Sequence, residues 1–140
     1  MCGICGMFNT LGNDVDGGLV ESMKVCIAHR GTDDDGLYEN GCISLGHQRL
    51  SILDLTEAAR QPLSGEDGTI QVVCNGEIYN HKELRRDLEL KGHTFISNTD
   101  SEVIPHAYEE WGLCHMVERL NGMFAIAIWD DSNQSLVLIR

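Results

Sequence analysis

The sequence of 140 residues predicts one α+β domain, in which antiparallel strands pack against helices on their outer faces. Short apolar runs separated by polar turns indicate the strands. The last two runs, Met123–Trp129 and Ser135–Arg140, flank the polar residues 130–133 like the arms of a hairpin. Other segments carry apolar residues at every third or fourth position, which is the spacing of one helix face.

The N-terminal half contains three predicted strands, one helix and a loop. Residues 4–9 form an apolar run typical of a strand, and residues 18–28 carry apolar side chains at helical spacing. Alternating apolar residues predict strands near 42–46 and 48–53. The polar stretch 54–69 contains a proline and two glycines, so it is expected to form a long loop.

The middle of the chain predicts a buried strand, a turn and a helix. Ile70–Cys74 is mostly apolar and runs into Asn75–Gly76, a dipeptide typical of tight turns. Asn80 followed by Glu83 resembles a capping box, and the helix that it begins is expected to stop at Gly92.

Between this helix and the C-terminal hairpin, the sequence predicts a strand and one or two helices. Thr94–Ser97 is expected to be a short strand. Asp100 or Ser101 can cap a helix that continues through Trp111, and a shorter helix is predicted near 114–119.

The composition limits the classes of partner. There are 22 acidic residues against 10 basic ones, which gives a net charge of −12, and no basic cluster occurs. Nucleic acids and anionic membranes are therefore not expected as partners. The six cysteines, without a secretory or membrane-spanning stretch, indicate a reducing, cytoplasmic location, and the six histidines lack metal-ligand spacing.

Cys2 is the first candidate for chemistry. If Met1 is removed, Cys2 carries a thiol and a free α-amine, whose pKa is low enough to leave a neutral fraction at physiological pH. Nucleophile and base then lie on one residue, which predicts an N-terminal-nucleophile amidohydrolase. Taken alone, these residues also allow an ordinary cysteine behind the initiator or a CxxC pair with Cys5.

Several motifs, in the right order from Cys2 to Arg140, resemble the glutaminase domain of class II glutamine amidotransferases. Within that class they are similar to the asparagine synthetase (glutamine-hydrolysing) branch. The motifs are Cys2-Gly3-Ile4, Ala28–Asp34, Gly46–Asp54, Asn75–Asn80, and Thr99–Glu102 together with Leu120–Ala125. The resemblance implies an N-terminal-nucleophile (Ntn) αββα sandwich of two antiparallel sheets, with residues 1–140 as an incomplete glutaminase domain.

The resemblance also implies which groups do the chemistry. Cys2 attacks the side-chain amide of glutamine, and the Asn75 side chain with the Gly76 N–H stabilises the oxyanion. Arg49 binds the substrate carboxylate with its planar guanidinium, and the backbone of Leu50 and Ile52 completes the pocket.

The acidic group that meets the substrate ammonium is implied to be Asp100, with Glu77 beside it. Each assignment has an ordinary alternative when the residue is considered alone. Considered alone, Asn75–Gly76 is typical of a hairpin turn, and Arg49 is typical of a solvated surface charge. Asp100 is then typical of a helix N-cap.

The implied reaction converts glutamine and water to glutamate and ammonia, without a metal or cofactor in this domain. In the family, a C-terminal synthetase domain, absent here, uses the ammonia with ATP and Mg²⁺ to make asparagine from aspartate. Another ammonia acceptor, a non-catalytic glutamine-binding module and a homodimer all stay open. Thr32 stands where the family typically has proline, so the loop there is expected to be looser.

Overall fold

The structure is a computed structural model that describes residues 2–140. Its strands and helices occur in the order β1 (Gly3–Phe8), α1 (Gly17–Cys26), β2 (Asp34–Asn40), β3 (Ile43–Arg49), β4 (Leu63–Ser64), β5 (Ile70–Ile78), α2 (His81–Leu90), α3 (Val103–Arg119), β6 (Gly122–Asp130) and β7 (Ser135–Ile139). Short 3₁₀ turns occur at residues 28–30, 57–59 and 100–102. Within residues 2–140, no helix has the length and apolarity needed to cross a membrane.

The strands form two antiparallel sheets. The first has the order β1-β3-β2, and the second has the order β4-β5-β6-β7. In the first sheet, β2 and β3 pair Asn40 with Ile43 across a two-residue loop. Gly41 in that loop has a φ of 53°, which a residue without a Cβ adopts at little cost. In the second sheet, β5 pairs with β6 over its whole length, from Ile70 with Asp130 to Ile78 with Gly122.

The faces of β5 show how the layers are assembled. Val73 points to the first sheet and packs in a core with Leu45 and Trp129. Val72 and Cys74 point the other way, into a core shared with α2 and α3. Helix α1 covers the outer face of the first sheet. The resulting αββα order confirms the predicted four-layer sandwich of two antiparallel sheets.

Two strand predictions in the N-terminal half are wrong. The strands predicted near 42–46 and 48–53 are one strand, β3, which ends at Arg49. Beyond it the backbone turns, because the Ser51 N–H donates to Asp33 Oδ2 at 2.7 Å. Strand β2 was not predicted, because its sequence DDGLYEN lacks an apolar alternation. It lies at the edge of its sheet, where such an alternation is not required.

The predicted turn at Asn75–Gly76 is also wrong, since β5 continues through both residues to Ile78. Helix α2 does begin after Asn80, but not with a capping box. The Asn80 amide instead donates to Arg119 O at 2.9 Å and accepts from Asn121 N at 3.0 Å. This side chain ties the start of α2 to the segment before β6.

Residues 94–97 do not form the predicted strand. The Ile96 and Ser97 N–H groups donate to the buried Glu102 carboxylate, at 2.7 and 2.9 Å, so a side chain takes the place of a partner strand. The predicted helix through Trp111 and the shorter helix after it are confirmed, because α3 breaks at Gly112, whose φ is 70°. The predicted cap is wrong, since α3 begins at Val103 without a side-chain cap from Asp100 or Ser101. The hairpin of β6 and β7 is confirmed as well.

Candidate active site

A cavity of about 180 Å³ opens where the start of β1 meets the C-terminal ends of β3 and β5. Pockets for drug-sized ligands measure roughly 300–1,000 Å³, so this cavity suits a molecule as small as one amino acid. Its lining includes every site residue predicted from the sequence except Asn75, namely Cys2, Arg49, Leu50, Ile52, Gly76, Glu77 and Asp100.

The Cys2 thiol lies beside the backbone of Leu50 at the cavity wall. The Leu50 N–H faces Sγ at 3.5 Å, and Leu50 O lies 3.8 Å from the sulfur. Because Cys2 is half-buried, its sulfur can meet a ligand in the cavity. Met1 lies outside the described residues, so removal of the initiator stays a prediction.

Arg49 is buried at the end of β3, so the alternative of a solvated surface charge is wrong. Its guanidinium donates to the carbonyl oxygens of Asp54 and Thr56, the latter at 3.1 Å. Asp34 Oδ2 lies 4.0 Å from Nη1. Since a guanidinium has five N–H donors, these two bonds leave donors for a ligand carboxylate at the cavity.

The loop that holds Arg49 is itself fixed by Asp54. This residue has a φ of 58°, a left-handed conformation that aspartate tolerates better than most residues. Its carboxylate accepts from the Thr56 hydroxyl at 2.6 Å and from the Asn98 N–H at 2.6 Å. The Thr56 hydroxyl and these backbone donors lower the pKa of Asp54 to about 2. The contact with Asn98 ties the loop to the segment that carries Asp100.

Asp100 is buried at the cavity and does not cap a helix. Its Oδ2 accepts from the Ile78 N–H at 2.7 Å, so the carboxylate binds the last residue of β5. Oδ1 faces the hydroxyls of Thr99 and Ser101 at 3.3 and 3.5 Å. A buried carboxylate with only neutral donors keeps its charge available for a cationic ligand group.

Glu77 and Ile52 complete the rim of the cavity. Both side chains are exposed. Glu77 is the second-to-last residue of β5, and Ile52 lies in the loop after β3. The structure therefore brings a second carboxylate to the same opening as Asp100. Their positions leave the cavity accessible from solvent on this side.

Gly76 lies where no other residue fits. A Cβ built on it would come within 2.2 Å of Met123 O and 2.5 Å of Phe124 Cα, both backbone atoms of β6. Asn75 differs from the expectation, because by strand alternation it shares the face of Val73, toward the first sheet. Its Oδ1 is buried and has no hydrogen-bond partner among residues 2–140.

Seven further residues line the cavity that were not predicted as site residues, among them Gln61 and Cys74. Gln61 Oε1 accepts from the Cys74 N–H at 2.6 Å, which joins the loop before β4 to β5. Burial and the nearby charge of Asp100 raise the pKa of the Cys74 thiol to about 12, so this thiol stays protonated. No pattern in the sequence pointed to Gln61 or Cys74 as site residues, because they meet only through the packing of β5 against the loop before β4.

The 28–31 segment lies beside the first residues of the described chain. A Cβ on Gly3 would lie 3.1 Å from Arg30 Cβ, so the two backbones approach closely. His29 and Arg30 also line a shallow depression together with Leu50. The segment therefore lies next to the residue that follows Cys2.

His47 is fully buried beneath the cavity, with Nε2 3.3 Å from Cys74 O. Burial lowers its pKa to about 4. In the unfolded chain an ordinary histidine takes up its proton near pH 6.5, while the folded protein resists it. The contribution of His47 to the free energy of unfolding is therefore fully present above about pH 6.5. It is lost, by about 3 kcal/mol, as the pH drops toward 4.

We expect the difference in unfolding free energy between the parent and His47→Gln to shrink across this pH range, because glutamine does not titrate. Urea unfolding followed at several pH values from 7 to 4 measures it. A difference that stays constant with pH would contradict the buried neutral imidazole.

An αββα sandwich with a cysteine thiol at the start of its first strand, facing a cavity, has the architecture of the Ntn amidotransferases. The sequence family described as "Glutamine amidotransferase domain" matches residues 1–140. The chain belongs to this family.

Relatives of known name support the assignment. The chain is 42% identical to "Asparagine synthetase [glutamine-hydrolyzing] 1" of Bacillus subtilis (strain 168), covering 97% of this chain and 22% of that protein. It is 42% identical to the protein of the same name from Arabidopsis thaliana, covering 98% of this chain and 24% of that protein. The chain thus spans about a quarter of the length of these relatives.

Among solved structures, the chain is similar to the glutamine phosphoribosylpyrophosphate amidotransferase of B. subtilis, with a TM-score of 0.75 at 19% identity. The match covers 91% of this chain and 35% of that chain. A second structure, described as the allosteric regulatory enzyme of purine biosynthesis, gives a TM-score of 0.72 at 19% identity. At this identity the likeness establishes the fold.

Proposed function

We propose that this protein hydrolyses glutamine to glutamate and ammonia, with Cys2 as the nucleophile. The observation that carries the proposal is the convergence of the Cys2 thiol, the buried Arg49 guanidinium and the buried Asp100 carboxylate on one small cavity. Glutamine brings a carboxylate, an ammonium and a side-chain amide, and each finds a complementary group there. The relatives named as glutamine-hydrolysing synthetases support the same substrate.

In the proposed reaction, the Cys2 sulfur attacks the amide carbon of glutamine while the α-amine takes the thiol proton. The tetrahedral intermediate collapses, the amine returns the proton to the leaving nitrogen, and ammonia departs. A water molecule then attacks the γ-glutamyl thioester, which releases glutamate and restores the thiol. Each step balances with water as the single co-reactant.

The oxyanion is proposed to be stabilised by the Gly76 N–H and the Asn75 amide. Gly76 supports this role because it lines the cavity and its close contact with β6 fixes the backbone there. Asn75 supports it because Oδ1 has no partner among the described residues, so no bond to that oxygen holds the amide in place. Rotation of this side chain toward Cys2 on substrate binding is part of the proposal.

The wider role is proposed from the relatives. Their printed names describe asparagine synthesis, so we propose that the ammonia serves that synthesis, through a synthetase domain that uses ATP and Mg²⁺. Glutamine and that domain are then the partners, with a homodimer as a further proposal. All six cysteines are free, which supports the proposed cytoplasmic location.

Arg49→Lys tests this function at the point of recognition. We expect glutamine affinity to fall by roughly 5- to 150-fold, because an ammonium cannot reproduce the bidentate bonds of a guanidinium. Calorimetry measures the affinity for glutamine. A separate assay measures hydrolysis, as the release of glutamate and ammonia in a one-to-one ratio. The parent protein, shown by intact mass to lack Met1, must release both products.

A thiol-directed electrophile without a carboxylate is the control, and it should label Cys2 equally in the parent and in Arg49→Lys. Unchanged glutamine binding in the variant would remove Arg49 from the site. A processed parent protein that binds glutamine without releasing glutamate would contradict the proposed hydrolysis.

A further inference from the structure

A second group of chemically active side chains lies outside the cavity. It consists of Glu66 from the turn between β4 and β5, His93 from the segment after α2, and His106 and Glu109 from α3. One ligand atom from each residue lies within 4.8 Å of the others. His106 is buried, with 3% of its surface exposed, so its position is set by the core.

The spacing of the two imidazole nitrogens matches that of neighbouring ligands in a tetrahedral metal centre. His93 Nδ1 and His106 Nδ1 face each other at 3.3 Å. Two ligands at about 2.0–2.1 Å from a tetrahedral zinc ion lie about 3.3 Å apart, so the nitrogens already have this spacing. Glu66 places carboxylate oxygens 3.7 Å from His93 Nδ1 and 4.0 Å from His106 Nδ1. Glu109 Oε2 lies 3.9 Å from His106 Nδ1.

The outer nitrogens of both rings face carboxylates, as those of metal-bound histidines commonly do. His93 Nε2 lies 3.5 Å from Glu110 Oε2, and Lys91 Nζ holds that glutamate at 2.6 Å. His106 Nε2 lies 4.0 Å from Glu102 Oε1, and Glu102 is fixed by the backbone of residues 96 and 97. Nδ1 of each ring then faces inward, toward the other histidine.

Charge and hydrogen bonding favour a cation over a simple histidine pair. In a neutral pair, one Nδ1–H can donate to the other nitrogen, but Glu66 and Glu109 then add two negative charges with no cation beside them in the cluster. A divalent ion offsets both charges and accepts electron pairs from both nitrogens.

We propose that Glu66, His93, His106 and Glu109 form a structural binding site for a divalent transition metal, with Zn²⁺ as the preferred ion. Two imidazoles and two carboxylates suit zinc, and four protein ligands close the site. The ion would cross-link three segments that are distant in sequence. One of them, α3, directly follows the 3₁₀ turn that contains Asp100, so the site would also steady one wall of the cavity.

The test is zinc binding by metal-free protein, measured by calorimetry and by thermal unfolding with added Zn²⁺. A Cys2→Ser background prevents the N-terminal thiol and amine from binding the ion. We expect one zinc per chain and a melting temperature that rises with zinc concentration but not with Mg²⁺. In His93→Gln this site and its thermal shift should be lost.

His115→Gln is the matched control, because His115 is an exposed histidine beside Glu118 and lies outside the cluster. It should bind zinc like the parent. Glu110→Gln should bind about 10–100-fold more weakly, since it removes only the partner of a ligand. If His93→Gln fails to fold, Glu109→Gln supplies the same comparison at the opposite side of the cluster.

Substitution of Co²⁺ gives a geometric readout, because tetrahedral cobalt has intense visible absorption bands. These bands should appear in the parent and in His115→Gln and be absent from His93→Gln. Absence of zinc binding by the parent, or equal binding by the parent and both ligand variants, would overturn the proposal and leave an ordinary histidine–carboxylate cluster.

Discussion

Cys2→Ala is expected to abolish glutamine hydrolysis, by at least about 1,000-fold in kcat, while glutamine still binds. In the proposed site, the sulfur supplies the bond that forms with the substrate, whereas Arg49 and Asp100 supply the charges that hold it. Glutamate release and calorimetric binding of glutamine measure the two properties separately. Turnover at the parental rate in Cys2→Ala would contradict the nucleophile assignment.

Cys5→Ala is the matched control for this prediction. Cys5 lies three residues further along, on β1, but its thiol faces Val20 O in α1 at 3.9 Å rather than the cavity. Burial raises the pKa of Cys5, which further lowers its reactivity. Parental turnover is expected in this variant. If both cysteines prove essential, a Cys2–Cys5 redox pair becomes the better interpretation of the N-terminus.

Gly76→Ala is expected to reduce kcat by at least about 100-fold, comparable to the loss of one oxyanion donor. The added methyl group would overlap Met123 O and Phe124 Cα of β6, so the two strands must separate beside the cavity. Stability should also fall, by about 1–3 kcal/mol, as for other overpacked sites. Glutamate release below the melting temperature, together with urea unfolding, measures both effects.

Gly12→Ala separates the loss of activity from the loss of stability. Gly12 has a φ of 76° and open space around its Cα, so alanine there costs backbone strain of about 1–2 kcal/mol without touching the cavity. We expect lower stability with parental kcat. If Gly76→Ala behaved in the same way, Gly76 would be needed for the sheet alone.

Local patterns predicted those parts of the fold that depend on neighbouring residues. The hairpin of β6 and β7 follows from two apolar runs around a polar turn, and the break of α3 follows from Gly112. Strand β2 could not be predicted in this way. Its polar residues are held in a strand by pairing with β3, and the hydrogen bonds of a partner strand leave no periodic signal in the edge strand itself.

The same division applies to Asn75 and Gly76. As an isolated dipeptide they favour a turn, but pairing with Ala125 and Phe124 of β6 keeps them extended. Pairing over the length of β5 outweighs a local preference of about 1 kcal/mol. The pairing of β5 also decides which residue lies at the cavity. Gly76 lines the cavity with its backbone, and Asn75 faces the first sheet.

The sequence by itself determined the αββα class and the family and predicted Cys2, Arg49 and Asp100 as site residues, because short motifs carry this information regardless of how the chain packs. Only the tertiary structure decided that Arg49 is buried against its own loop and that Asp100 binds the end of β5. It alone also joined Glu66, His93, His106 and Glu109, whose separation along the chain gave no metal-ligand spacing. Contacts between residues so far apart arise from the docking of α3 against the second sheet, which no local pattern records.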